Sequence, residues 1–244
     1  MNLPHLLKQW RTRQDGIRVV AFGSSNTEIG WHSDGHHGWP CWLSCIFRAS
    51  VGRHVQMLNA GIGGDTAAGL LKRITRDVLP IQPHLVIITI GGNDYFQQHP
   101  LAEFETNLRQ LESILHRTGA VVAFQTYYAL LPDAGAGAGN YDIGFSAYMD
   151  VVRTVASTTE AGLIDQFAWF TAWQQTDLAS YRTIMRDGAH LKPVGNALFG
   201  TLAGRVCGCW DPAVPADLPV ADFLATLEKC GAPRRNLELQ WEKP

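Results

Sequence analysis

The stretch Leu85-Val86-Ile87-Ile88-Thr89-Ile90 is almost entirely apolar and rich in β-branched side chains. A run of this length and composition is typical of a central strand in a parallel sheet, where both faces of the strand are buried. Two similar runs lie on either side of it in the chain, at Ile17–Phe22 and Ala120–Phe124. We therefore predict that these three segments form the centre of one sheet.

Weaker β-rich runs extend this set, and segments of helical periodicity separate the runs. The five predicted strands are Ile17–Phe22, His54–Asn59, Leu85–Ile90, Val121–Thr126 and Leu163–Phe167. One helix is predicted at Leu101–Leu115, where Pro100 occupies the first helical position and Gly119 follows the end. Further helices are predicted at Thr66–Val78, Tyr141–Ser157, Pro193–Val206 and Ala221–Lys229. The alternation of strands and helices predicts an α/β fold, a three-layer α/β/α sandwich with a five-stranded, mainly parallel sheet.

The length of 244 residues is sufficient for one large hydrophobic core. We predict a single domain over residues 1–244, with its core at about residues 17–206 and a C-terminal appendage at residues 211–244. The segment Asp133–Asn140 is rich in small residues and aperiodic, so it is expected to form a surface loop. Whether that loop closes over a ligand is left open by the sequence.

Composition and charge argue against several classes of function. The formal net charge is -2 and the basic residues are scattered, which disfavours nucleic-acid binding. No apolar run approaches the roughly 20 residues of a membrane-spanning helix. The first residues lack the pattern of a secretion signal, and an odd count of five Cys fits reduced thiols. These features predict a cytoplasmic protein.

Four turns rich in Gly, Ser, Asn and Asp lie after or near the predicted strands. They are Gly23–Thr27, Asn59–Thr66, Gly91–Asp94 and Asp187–His190. Active sites of open parallel sheets lie outside the carboxyl ends of the strands. Each turn alone could be an ordinary turn or helix cap, but their common placement favours one shared site.

The residues of these turns suit nucleophilic catalysis. A serine hydroxyl becomes reactive when a histidine accepts its proton and a carboxylate orients that histidine. Asp187 and His190 are three residues apart and can supply the carboxylate and the base. Either Ser24 or Ser25 could be the nucleophile. The backbone N–H of Gly64 and the side-chain amide of Asn93, with the N–H of the serine, could then hold the oxyanion.

In these four blocks the chain resembles an SGNH hydrolase, the superfamily that includes GDSL-type esterases and lipases. Gly23-Ser24-Ser25 is similar to the Gly-Asp-Ser block, so the resemblance implies Ser25 as the nucleophile, with Ser24 in place of the usual Asp. The second block implies Gly64 as an oxyanion donor, and the Gly-x-Asn-Asp block implies Asn93. The last block, Asp187–His190, completes the implied triad. The resemblance also implies the flavodoxin-like SGNH fold.

The resemblance implies a serine esterase that hydrolyses carboxylic esters through an acyl-enzyme and needs no metal or organic cofactor. The expected partner is a small-molecule ester substrate, either a short-chain acyl ester or an O-acetylated carbohydrate. Thioesterase or lysophospholipase activity on the same site stays open, as does a non-catalytic ligand-binding protein of the same fold. The oligomeric state is also left open by the sequence.

Two rival sites carry weaker signals. The glycines of Gly61–Gly64 lack the Lys-Ser/Thr of a phosphate-binding loop and the spacing of a dinucleotide site. His32, His36 and His37 cluster with Asp34, but no set of cysteine ligands accompanies them. We therefore expect neither a nucleotide nor a metal at these positions.

Overall fold

The computed structural model describes residues 1–28, 35–134, 144–209 and 218–234. Its sheet has five strands, β1 (Ile17–Gly23), β2 (Val55–Gly61), β3 (Leu85–Thr89), β4 (Val121–Gln125) and β5 (Gly162–Ile164). The strand order is β2-β1-β3-β4-β5, and each neighbouring pair is parallel. The predicted five-stranded parallel sheet is confirmed, in the strand order of flavodoxin-like folds.

Helices flank the sheet. Those of the described residues are α1 (Leu3–Trp10), α2 (Trp39–Ser50), α3 (Ala67–Asp77), α4 (Gly92–Phe96), α5 (Leu101–His116), α6 (Phe145–Thr158), α7 (Phe167–Thr176), α8 (Leu178–Arg182), α9 (Pro193–Val206) and α10 (Val220–Lys229), with a short 3₁₀ helix at Leu79–Ile81. Helix α2 packs against α9, and α5 packs against both α3 and α6. Two groups of helices therefore cover the sheet, which confirms the predicted α/β architecture.

Burial of the strands follows their order in the sheet. All five residues of β3 are buried, and six of the seven residues of β1 are buried. Both strands have neighbours on each side, as expected for continuous apolar runs. The edge strand β2 is only partly covered, and its Leu58 is 37% exposed. The apolar runs thus correctly identified the centre of the sheet.

The fifth predicted strand, Leu163–Phe167, is wrong at its end. Strand β5 stops at Ile164, and Phe167 begins α7. The Thr126 hydroxyl accepts the N–H groups of Gln166 and Phe167, which fixes the start of the helix. The apolar residues after Ile164 therefore form the buried face of a helix, on which Phe167, Phe170 and Trp173 recur every three residues.

The ends of other predicted helices agree within a few residues. Helix α5 begins at Leu101, and Pro100 precedes it with ψ of 133°, so its predicted place as the first helical residue is wrong by one. Thr66 caps α3 by accepting the N–H of Gly69. Helix α1, which the apolar pattern did not identify, is capped by Asn2. Most of Asp133–Asn140, together with His32, Asp34 and residues 211–217 and 235–244, lies outside the described residues.

Candidate active site

The four turns singled out in the sequence meet at the carboxyl ends of the strands. There they surround a cavity of about 290 Å³. The lining includes Ser25, Gly64, Asn93 and His190, one residue from each turn. Asp187 does not line this cavity and lies behind His190, on its far side from Ser25. The structure therefore brings together all five residues predicted from the sequence.

Ser25, His190 and Asp187 form a continuous chain of contacts. Ser25 Oγ lies 3.0 Å from Nε2 of His190. On the other edge of the ring, Nδ1 lies 3.0 Å from Oδ1 and 2.9 Å from Oδ2 of Asp187. With a proton on Nδ1, Nε2 is the ring nitrogen that accepts the serine hydroxyl hydrogen. The geometry therefore fits a base that is oriented by a carboxylate.

The turn itself fixes the carboxylate of Asp187. Oδ1 accepts the backbone N–H groups of Ala189 and His190, each at 2.8 Å. Partial burial opposes the charge of this carboxylate, but these N–H groups and the imidazole outweigh burial and hold the pKa of Asp187 below its usual range. Asp187 is therefore ionised at neutral pH.

The two candidate serines have different surroundings. Ser24 is 1% exposed, and its Oγ lies 3.1 Å from the hydroxyl of Tyr127. Ser25 is half-buried and contacts His190. Adjacent residues at the end of a strand point in different directions, so only one of the two can reach the base. The hydroxyl in contact with the base belongs to Ser25.

Gly64 and Asn93 provide N–H groups at the same cavity. Gly64 has φ of 81°, a conformation that favours glycine. Asn93 lies in the first turn of α4, and its Nδ2 donates to the carbonyl of Asp65 at 2.7 Å. An amide carries two N–H bonds, so this contact orients the side chain and leaves the second N–H for a ligand.

Two charged residues that sequence reasoning missed connect the turns. Asp94 is completely buried, and its carboxylate accepts the N–H of Ala67 at 3.1 Å and lies 3.5 Å from Nδ1 of His99. Burial raises the pKa of Asp94, although the Ala67 N–H opposes this. Asp94 therefore links the Asn93 turn with the start of α3. The linked residue, Ala67, lies two residues after Asp65 in the chain.

Arg73 is the second of these residues, and its side chain is 8% exposed. The guanidinium lies 4.5 Å from the ring centroid of Phe22. It donates to the Asp65 and Asp77 carboxylates and to the Ala60 and Gly23 carbonyls. The turns that carry Ser25 and Gly64 are thus tied to one side chain. The signal in the sequence was an arginine on the apolar face of α3, between Leu70 and Ile74.

A second, larger cavity of about 570 Å³ adjoins the first one. The two share Phe96 and Ala189. The larger cavity lies beside the Asp187–Ala189 segment, and Arg182 and Asp133 contribute an ion pair of 3.1 Å to its lining. The lining of the larger cavity is therefore partly charged, whereas Tyr127 and Leu130 contribute apolar surface to the smaller cavity.

Within the described residues, no group of three or more His, Cys, Asp or Glu side chains is placed to hold a metal ion. His36 and His37 are exposed. Across the same ranges, every helix is too short or too polar to cross a bilayer.

Comparison with known proteins identifies relatives by sequence. The model of the GDSL-like lipase/acylhydrolase family matches residues 21–198. The esterase TesA of Pseudomonas aeruginosa is 34% identical over 111 residues, which cover 46% of this chain and 55% of TesA. An arylesterase of Vibrio mimicus is 28% identical over 109 residues, covering 45% and 54% of the two chains. The matched stretch spans about half the length of these relatives.

Solved structures share the fold. An acetylxylan esterase of Geobacillus stearothermophilus superposes with a TM-score of 0.67 at 20% identity, covering 82% of this chain and 98% of the esterase. Three structures of that esterase are of catalytic mutants, in which a serine, a histidine or an aspartate is replaced by alanine. Because the family model covers most of its length, the chain belongs to the GDSL-like lipase/acylhydrolase family.

Proposed function

We propose that the chain hydrolyses carboxylic esters through an acyl-enzyme formed on Ser25. The observation that carries this proposal is the continuous contact chain from Ser25 through His190 to Asp187 at the wall of a cavity. The catalytic mutants of the acetylxylan esterase concern the same three residue types, which supports the assignment. Membership of an acylhydrolase family supports the reaction class.

In the proposed mechanism, Ser25 Oγ attacks the acyl carbon while Nε2 of His190 takes the hydroxyl proton. The carbonyl becomes a tetrahedral oxyanion. The bond to the leaving oxygen then breaks, His190 returns the proton to the departing alcohol, and the acyl group stays on Ser25. Water repeats the sequence with His190 as base, which releases the carboxylic acid and restores Ser25. Asp187 keeps the proton on Nδ1 and stabilises the imidazolium.

Three donors are proposed for the oxyanion: the N–H groups of Ser25 and Gly64 and the free N–H of Asn93. Fixed donors of this kind stabilise the transition state because they need no reorientation as charge develops. The bond from Asn93 to the Asp65 carbonyl supports this role, since it orients the amide before a substrate binds. The positive φ of Gly64 supports it as well, because it turns the N–H of this exposed residue without strain.

We further propose a short acyl group and a polar alcohol as the two halves of the substrate. The leaving oxygen must lie near Nε2 of His190, so the alcohol extends over the Asp187–His190 turn. The larger cavity lies beside that turn, where Arg182 and Asp133 can bond to hydroxyl groups. The acetylxylan esterases of the same fold act on acetyl esters of a carbohydrate, which favours an O-acetylated carbohydrate here.

The test is hydrolysis of p-nitrophenyl acetate, butyrate and octanoate by wild type, Ser25→Ala and Ser24→Ala. We expect Ser25→Ala to lower kcat by roughly 10⁴–10⁶, and Ser24→Ala to retain most of the activity. A preference for acetate over octanoate, with turnover of an acetylated xylo-oligosaccharide, would support the proposed substrate. A preference for octanoate would favour the lysophospholipase alternative. Equal rates for wild type and Ser25→Ala would leave a ligand-binding protein as the better hypothesis.

A further inference from the structure

Tyr128 connects the two parts of the candidate site. It follows β4, is 1% exposed, and its hydroxyl oxygen lies 2.5 Å from Oδ1 of Asn26 and 2.6 Å from the carbonyl oxygen of Ala189. Asn26 is the residue after Ser25, and Ala189 is the residue before His190. One phenol therefore contacts the chain neighbours of both the proposed nucleophile and its base.

The arrangement of donors makes this contact a bridge. A phenol has one hydrogen, and a backbone carbonyl can only accept, so Tyr128 donates to Ala189 when both contacts are hydrogen bonds. The Asn26 side chain then has to present its NH₂ group to the phenol oxygen, which a rotation of the amide allows. A chain of two hydrogen bonds would then run from the nucleophile turn to the histidine turn.

The ring of Tyr128 is itself held in place. It packs edge-on against Phe199 at a centroid distance of 5.4 Å and against Phe170 at 6.2 Å. Burial raises the pKa of Tyr128 well above its ordinary value, so the hydroxyl keeps its hydrogen throughout the pH range in which esters are assayed. The donor to Ala189 is therefore present under all assay conditions.

A bridge at this position matters because Ser25 and His190 are 165 residues apart in the chain. No covalent constraint fixes the 3.0 Å distance between Oγ and Nε2, which depends on contacts between the two turns. A misplacement of about 1 Å between reacting groups can lower a rate by about 100-fold. We propose that Tyr128 is a positioning residue that fixes the Ser25–His190 contact. Its effect on catalysis rests on the proposed function.

The test compares Tyr128→Phe with Tyr181→Phe. Tyr181 is a matched control, because it is also buried and its hydroxyl donates to a backbone carbonyl, that of Ala129, at 2.6 Å. We expect Tyr128→Phe to lower kcat for p-nitrophenyl acetate by about 10- to 100-fold with KM changed less than about threefold. Tyr181→Phe should leave kcat within about threefold of wild type. Both variants should lose similar thermal stability.

Amide hydrogen exchange in the same proteins provides a readout that does not depend on activity. Release of the bridge should speed exchange in peptides that contain residues 24–28 and 187–190 in Tyr128→Phe, and should leave them unchanged in Tyr181→Phe. If wild type hydrolyses no ester, the proposed function fails, and the exchange data still decide whether Tyr128 holds the two turns together. Equal kcat in the two variants, or equal exchange of these peptides, would overturn the proposal.

Discussion

Replacing Arg73 by Met would test whether the buried guanidinium stabilises the turns of the site. Met keeps much of the apolar volume and removes every hydrogen bond. The Asp65 carboxylate, 17% exposed, would lose its partner, and the carbonyls of Gly23 and Ala60 would each lose a donor. Breaking a buried ion pair by removing one partner costs about 3–5 kcal/mol. Partial exposure of Asp65 allows some rehydration, so we expect about 3 kcal/mol.

A loss of this size is measurable by calorimetry. For a chain of 150–250 residues, each kcal/mol lowers Tm by about 2–4 °C, so Arg73→Met should lower Tm by about 6–12 °C. Arg76→Met is the matched control. Arg76 also pairs with Asp77 from α3, but its side chain is 72% exposed. Exposed ion pairs contribute little to stability, so the Tm of this variant should stay close to that of wild type.

Both variants lose one charge from the same helix and one contact with the Asp77 carboxylate, so the difference between them reports the buried contacts that Arg73 makes with Asp65 and with the Gly23 and Ala60 carbonyls. Equal changes in Tm for Arg73→Met and Arg76→Met would refute the reasoning. The initial rate with p-nitrophenyl acetate, measured well below Tm, would report whether the turns also move. Because Arg73 contacts the turns of Ser25 and Gly64 and Arg76 contacts neither turn in the described contacts, we expect a lower kcat only in Arg73→Met.

Two further predictions concern the proposed catalytic groups. Asn93→Ala should lower kcat by roughly 10²–10³ with a small change in KM, because an oxyanion donor acts in the transition state. Steady-state kinetics measure both constants. A change confined to KM would contradict the proposed role of Asn93. For Asp187, the folded pKa is lowered, so its carboxylate stabilises the fold above the pKa of the unfolded chain, and this contribution disappears as pH falls through the folded pKa. Wild type should therefore have a higher free energy of unfolding than Asp187→Asn at pH 7, and this difference should shrink below about pH 4. Urea denaturation at several pH values measures it. A difference independent of pH would argue against a stabilising charge on Asp187.

The centre of the fold was predictable because its strands are buried on both faces. Leu85–Ile90 and Ile17–Phe22 have no polar face, and few structures other than a central strand accommodate such runs. The predicted fifth strand extended past Ile164 to Phe167, because a short apolar run is compatible both with a strand and with a buried helix. The hydroxyl of Thr126, 41 residues from Phe167, decides between them. A contact at that separation has no signature in local sequence.

The candidate site was predictable as a set of turns, and less so as a set of contacts. Turn composition identified Gly64, Asn93, Asp187 and His190, which the structure places around Ser25. Spacing alone did not distinguish Ser24 from Ser25, which differ in the structure by the burial of Ser24 and by the contact of Ser25 with His190. The position of Tyr128 between the two turns had no signature in local sequence, because the partners of its hydroxyl, Asn26 and Ala189, are 102 and 61 residues away.

Ser25 and His190 are separated by 165 residues of chain, and this separation also affects the refolding kinetics. Strand β1 lies between β2 and β3, so the turn that follows it reaches its final place only after the segments on both sides have paired. Closure of such long loops is slow compared with helix formation. During refolding from denaturant, the far-ultraviolet signal of the helices should therefore recover before the catalytic contact forms. Return of ester hydrolysis would then measure the last stage of assembly.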